Sequence, residues 1–162
     1  MKQHLKACLI ALSLVLCITS VECGDGIRAL TITTFDPSGS IFTFVEVINN
    51  TGTIAGTFDD SSFIAHGYVR SANGTITTFD STGSTGTLVS GINNAGTIAG
   101  EFVDSSGSGM FHGYVRSANG TITTFDPSGS TNTFVRGIND AGAIAGIFVD
   151  SSGMQHGFIA SP

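Results

Sequence analysis

His66-Gly67-Tyr68-Val69-Arg70-Ser71-Ala72-Asn73-Gly74-Thr75-Ile76-Thr77-Thr78-Phe79-Asp80 recurs letter for letter at residues 112–126. Its centre, Asn73-Gly74 or Asn119-Gly120, separates two short runs rich in β-branched and aromatic residues. Asn-Gly tolerates positive φ at both central positions of a type I′ turn, so each copy predicts a β-hairpin. One strand lies near Tyr114-Val115-Arg116 and the other near Ile122-Thr123-Thr124-Phe125.

Working outward, the hairpin belongs to a longer repeat. Phe35-Asp36, Phe79-Asp80 and Phe125-Asp126 recur at spacings of 44 and 46 residues. Ile48-Asn49-Asn50-Thr51-Gly52, Ile92-Asn93-Asn94-Ala95-Gly96 and Ile138-Asn139-Asp140-Ala141-Gly142 keep the same step. So do Ile54-Ala55-Gly56, Ile98-Ala99-Gly100 and Ile144-Ala145-Gly146, and then His66-Gly67, His112-Gly113 and His156-Gly157. A fixed period of this length marks a repeat architecture. The two extra residues fall in Ser105 to Met110, a Gly/Ser loop where insertion costs little.

Each unit reads as four short antiparallel strands. In the middle copy these are Thr87–Ile92, Thr97–Val103, Met110–Ser117 and Thr121–Phe125. No window after residue 23 shows sustained helical periodicity. Alternation places Ile122 and Phe125 on opposite faces, Phe111 and Val115 opposite Tyr114, and Leu88 and Ile92 opposite Val89. Both faces therefore carry apolar side chains. A sheet wet on one side should alternate cleanly, whereas one stacked between two like sheets should not. The expected fold is all-β, with three four-stranded units as β-propeller-like blades. A β-trefoil or β-prism is the alternative. The units span about 41–80, 85–126 and 131–162, with residues 30–36 as the strand that completes the last.

The motifs resemble the HAF repeat family of extracellular bacterial repeats. The family pattern runs Ile-Asn-x-x-Gly-x-Ile-x-Gly, an aromatic and Asp, His-Gly-Phe/Tyr, an Asn/Asp-Gly turn, then Thr-Phe-Asp. All three units match it. The resemblance implies export, propeller-like repeats and a bacterial source; it brings no catalytic residues. Three units depart from the roughly four to eight blades of closed propellers.

The first 23 residues read as an export signal. Lys2 and Lys6 precede the apolar run Ala7–Ile18, which falls short of the roughly 20 residues that span a bilayer. Small residues favour cleavage after Cys23, with Ser20 as the alternative; Ser20 and Glu22 disfavour lipidation of Cys23. Cys8, Cys17 and Cys23 all lie in this segment, so residues 24–162 form one domain without a disulfide. Removing Lys2, Lys6 and Glu22 leaves four Arg against eleven acidic residues, a balance of −7. That charge argues against nucleic acid and anionic membrane surfaces as partners, and no membrane span is expected in the mature chain.

Candidate chemistry competes with plain structure. Three His suit zinc, but His66, His112 and His156 sit in separate units, where each is expected to cap or bridge strands. Asp36, Asp80 and Asp126, and Asp59, Asp104 and Asp150, precede Ser/Gly turns whose N–H groups they are expected to bond. Asp104-Ser105-Ser106-Gly107 lacks the calcium-loop spacing. No nucleophile elbow, zinc-protease or phosphate-loop motif is present. Asn73-Gly74-Thr75 and Asn119-Gly120-Thr121 match the glycosylation triplet but are explained as turns. Arg70 and Arg116 share a position. Glu46, Ser90 and Arg136 occupy one repeat position with three chemistries, which marks a solvent or groove face.

The expected function is that of a secreted or periplasmic, non-enzymatic repeat protein with a structural or binding role at the cell exterior. It needs no metal and no cofactor. A lectin-like carbohydrate-binding module is the alternative class, and a propeller-type glycosidase the third. Ligand candidates are a glycan or a protein, and strand exchange offers a homodimer.

Overall fold

The computed structural model describes residues 30–162, so the leader and its three cysteines lie outside the described residues. The chain divides into two compact units, Met1–Thr34 and Phe35–Pro162, and every strand among the described residues falls in the second. Of the first unit, the described residues 30–34 carry no strand, and Leu30 and Ile32 are exposed.

The second unit is all-β, with eleven strands in three antiparallel sheets. Blade one holds β1 (Ser40–Ile48), β2 (Ile54–Asp60), β3 (Ala65–Arg70) and β4 (Ile76–Phe79). Blade two holds β5 (Ser84–Ile92), β6 (Ile98–Asp104), β7 (Phe111–Arg116) and β8 (Ile122–Phe125). Blade three holds β9 (Ser130–Ile138), β10 (Ile144–Asp150) and β11 (Gln155–Ala160), and its sheet stops at three strands. Each sheet runs in sequence order, as hairpin-linked strands should. The sheets are separate, which sets aside the closed barrel of a trefoil.

Blades stack in succession: β2 and β3 pack on β5, and β6 and β7 pack on β9. Blade two therefore feeds two cores. Ile122 joins Ile98 and Tyr114 on one side, while Val115 and Phe125 join Ala99 and Val135 on the other. The opposed faces read from the sequence are those observed. Full burial of Ile98 contributes about 1.5–3 kcal/mol over an exposed side chain. One facing assignment is corrected. Val89 and Ile92 share a core, because the register slips between Val89 and Gly91. The extra residue reverses the alternation beyond it.

The Asn-Gly hairpins form, but not with type I′ turns. Phe63 is the one described non-glycine residue at positive φ, so Asn73 and Asn119 are not. Instead Gly120 N donates to Ser117 O and Ser117 N to Thr121 O, both at 2.9 Å, with Gly120 at φ 96°. This is a type I turn closed by a left-handed glycine. The Asn119 side chain holds it by accepting from Thr121 N at 3.0 Å.

Two recurring glycines have a packing reason. A side chain at Gly113 would place Cβ 2.7 Å from Phe125 Cζ, and Gly67 meets Phe79 in the same way. The His-Gly motif thus leaves room for the aromatic ring of the next strand. That ring also reaches the following blade: Phe79 packs edge-on to Tyr114 at 6.1 Å, as Phe35 does to Tyr68. Arg116 stands over the Phe79 ring at 4.7 Å and Arg70 over Phe35 at 4.8 Å, so the shared arginines clamp aromatic rings.

Candidate functional site

The repeat position held by Glu46, Ser90 and Arg136 is a β-bulge in every blade. Val45 pairs with Gly56 and Val47 with Ala55; Val89 pairs with Gly100 and Gly91 with Ala99; Val135 pairs with Gly146 and Gly137 with Ala145. Glu46, Ser90 and Arg136 are the extra residues. A bulge re-aims its side chain and is favoured beside functional sites. All three line one open groove of about 550 Å³, together with Phe44, Thr57, Asp59, Leu88 and Glu101.

Glu101 anchors the groove. It is only 9% exposed, and its Oε2 accepts from Ser90 Oγ at 2.8 Å and from Val135 N at 3.2 Å. Burial pushes its pKa up, against the pull of those two bonds and of the Arg136 charge. Thr57 has the same role in the preceding blade, where Val89 N donates to its Oγ1 at 3.1 Å. A polar side chain of one blade thus satisfies an N–H beside the bulge of the next. Blade three has the apolar Ile147 at this place.

The groove wall mixes an exposed Phe44 ring, the carboxylates of Glu46 and Asp59, hydroxyls, and the Arg136 guanidinium. Donors and acceptors beside an aromatic face suit a polar ligand with many hydroxyls.

The histidines stay in their own blades. His66 Nδ1 lies 2.9 Å from Asp80 Oδ2 and its Nε2 3.5 Å from Asp60 Oδ2. His112 sits likewise between Asp126 (2.7 Å) and Asp104 (3.5 Å). His156 reaches Asp150 at 3.0 Å. Each ring also lies against a phenylalanine of the neighbouring strand: Phe58, Phe102 and Phe148. Among the described residues, no three His, Cys, Asp or Glu side chains form a metal-binding group. The Asp126 hydrogen bond raises the His112 pKa against a smaller opposing effect of burial. For His66 the burial penalty is the largest single effect, but Asp80 and Asp60 together outweigh it and raise the pKa.

The aspartates divide. Asp60 Oδ1 accepts from Ser62 N at 2.8 Å and Ile64 N at 3.0 Å, and Asp150 bonds Ser152 N and Met154 N at the same two distances. Asp104 instead takes the hydroxyls of Ser106 and Ser108. The counterpart of Asp104 and Asp150 is Asp60 rather than Asp59, since Ser40, Ser84 and Ser130 pair with these three. Asp59 lies one residue earlier and faces the groove. Asp36 and Asp126 accept from the Thr43 and Thr133 hydroxyls, at 2.7 and 2.5 Å.

Thr57 and Glu101 are groove residues that the motif reading passed over, and Asp59 is one it assigned to a turn. The signal was present: Ala-Gly-Thr-Phe, Ala-Gly-Glu-Phe and Ala-Gly-Ile-Phe vary at one place inside a fixed frame. Among the described residues no helix is long and apolar enough to cross a membrane. Comparison with protein-family models, with curated proteins and with solved structures finds no match to this chain.

Proposed function

We propose that this chain is an exported, non-catalytic binding module whose ligand seats in the bulge-lined groove and belongs to the carbohydrates. One observation carries the reading: Glu46, Ser90 and Arg136, three different residues at one repeat position, converge on one groove. Repetition maintains a fold, and a cavity in which departures from it meet is what a specific site requires. The leader-like first 23 residues and the resemblance to HAF repeats support an extracellular or periplasmic address in a bacterium. The groove chemistry, Phe44 beside carboxylates, hydroxyls and one guanidinium, favours the lectin-like form of binding over a purely structural role.

A glycosidase reading has one observation in its favour, the raised pKa of buried Glu101 beside other carboxylates. Against it, both hydrogen bonds to Glu101 Oε2 serve the fold, as that of Thr57 does. A glycan array on the purified protein tests the proposal. It predicts binding to a restricted set of glycans, with affinity falling about tenfold or more for Arg136→Ser, the loss expected of one charged hydrogen bond. A blank array, or binding unchanged by Arg136→Ser, overturns it. Turnover of array hits by the parent protein, lost in Glu101→Gln, favours the hydrolase.

A further inference from the structure

Two surfaces of the strand-bearing unit are unfinished, and the internal repeats show what finishes each. The first is the outer edge of β11. In blade two, β8 pairs with β7 in the register Gly113↔Phe125, Tyr114↔Thr124, Val115↔Thr123 and Arg116↔Ile122. Phe125 fills the space over Gly113, and Asp126 reaches His112 Nδ1 at 2.7 Å. Blade one repeats this with Phe79 over Gly67 and Asp80 on His66. In blade three Gly157 faces open space and Ile159 is 74% exposed. Yet Ile32-Thr33-Thr34-Phe35-Asp36 is identical to 76–80 and 122–126.

The second surface is the face of β1. Val45 and Ile48 are 57% and 62% exposed, whereas their counterparts Val89 and Ile92 are 5% and 6% exposed under blade one. Among the described residues the covering face of the series is free only on blade three. There Ala145 is exposed, while Ala55 and Ala99 are fully buried by the following blade.

We propose that a second copy of this chain finishes both surfaces. Blade three of one copy packs on blade one of the other, as blade one packs on blade two. Residues 32–36 of that other copy add to β11, with Phe35 over Gly157 and Asp36 on His156. The position of Phe35 already fits. It packs on Tyr68 of its own blade one as Phe79 packs on Tyr114 of the next blade, so a strand continuing back from it belongs to the blade before. Two copies of the three described sheets make six, which falls within the roughly four to eight blades of closed propellers. The contact is head-to-tail, and two such contacts close a ring in which every blade face is covered.

Light scattering on the full chain, secreted and purified, tests this. The expected mass is twice that of the processed chain. Gly157→Val and Ile159→Glu alter positions open in the single chain, so each is expected to give a monomer with unchanged β-sheet circular dichroism. Hydrogen exchange needs no variant: residues 32–36 of the parent should be protected as 122–126 are. A monomeric parent overturns the proposal, including one whose residues 32–36 are protected, because that means closure within one chain. Unprotected residues 32–36, or a dimer untouched by both variants, overturn it equally.

Discussion

Asn49 Nδ2 donates to the carbonyl oxygen of Asn93 at 3.0 Å, joining equivalent turns one repeat apart. Asn93 does the same to Asn139 at 3.3 Å. The other end of each side chain holds its own turn: Asn49 Oδ1 accepts from Thr53 N at 3.0 Å, and Asn93 Oδ1 from Thr97 N at 2.9 Å. One residue type therefore both shapes the turn and stitches blade to blade, which accounts for Asn in the Ile-Asn motif.

Asn93 is buried, so its loss strands polar groups of two blades. Asn93→Ala should cost about 1–3 kcal/mol, the range for unsatisfied buried partners. Urea denaturation reads it, and an unchanged midpoint would show that the ladder adds nothing to stability.

Gly113→Val should be harsh, because Gly113 is buried. Its Cβ would lie 2.7 Å from Phe125, inside the blade. Overpacking of this kind costs about 1–3 kcal/mol or more. Wild-type stability in this variant would mean that Phe125 moves away freely.

Gly120→Val tests the turn rather than the packing. Gly120 lies at φ 96°, a region closed to β-branched residues. A loss of about 1–3 kcal/mol is expected. A denaturation midpoint equal to the parent's would reject the left-handed assignment.

The histidine and aspartate pairs set a pH optimum. His66 and His112 have pKa values raised above the usual 6.5, so their contribution is complete below that value and lost as pH rises through the folded pKa. Asp60 is lowered chiefly by the Ile64 N–H and Asp104 chiefly by the Ser106 hydroxyl. Their contribution is present above the usual 3.8 and lost as pH falls through the folded values. Buried Glu101, raised, is least costly once protonated. Thermal unfolding should therefore peak at about pH 4–6.5 and fall toward pH 8. His112→Gln should flatten the alkaline limb. A midpoint higher at pH 8 than near pH 5.5 would contradict this assignment.

The sequence made the blades legible because three nearly identical copies reveal strand order, facing and turns without knowledge of neighbours. Ile122 and Phe125 were placed on opposite faces by spacing alone, and they do enter two cores. What spacing could not show is the bulge at Ser90, since an extra residue in one strand is visible only against its partner. That bulge reverses the alternation around Val89, and its counterparts at Glu46 and Arg136 line the same groove. The same holds for Asn119. Its side chain, not a positive φ, is what the turn uses, and propensity alone does not separate the two.

The central claim is that the groove, and not the repeated surface, holds the ligand. Amide chemical-shift mapping of the isotope-labelled protein, titrated with the strongest glycan from the array, tests it most directly. The perturbed amides are expected to cluster at Glu46, Ser90, Glu101 and Arg136. Perturbations centred instead on the repeated turns at Asn73-Gly74 and Asn119-Gly120 would contradict it.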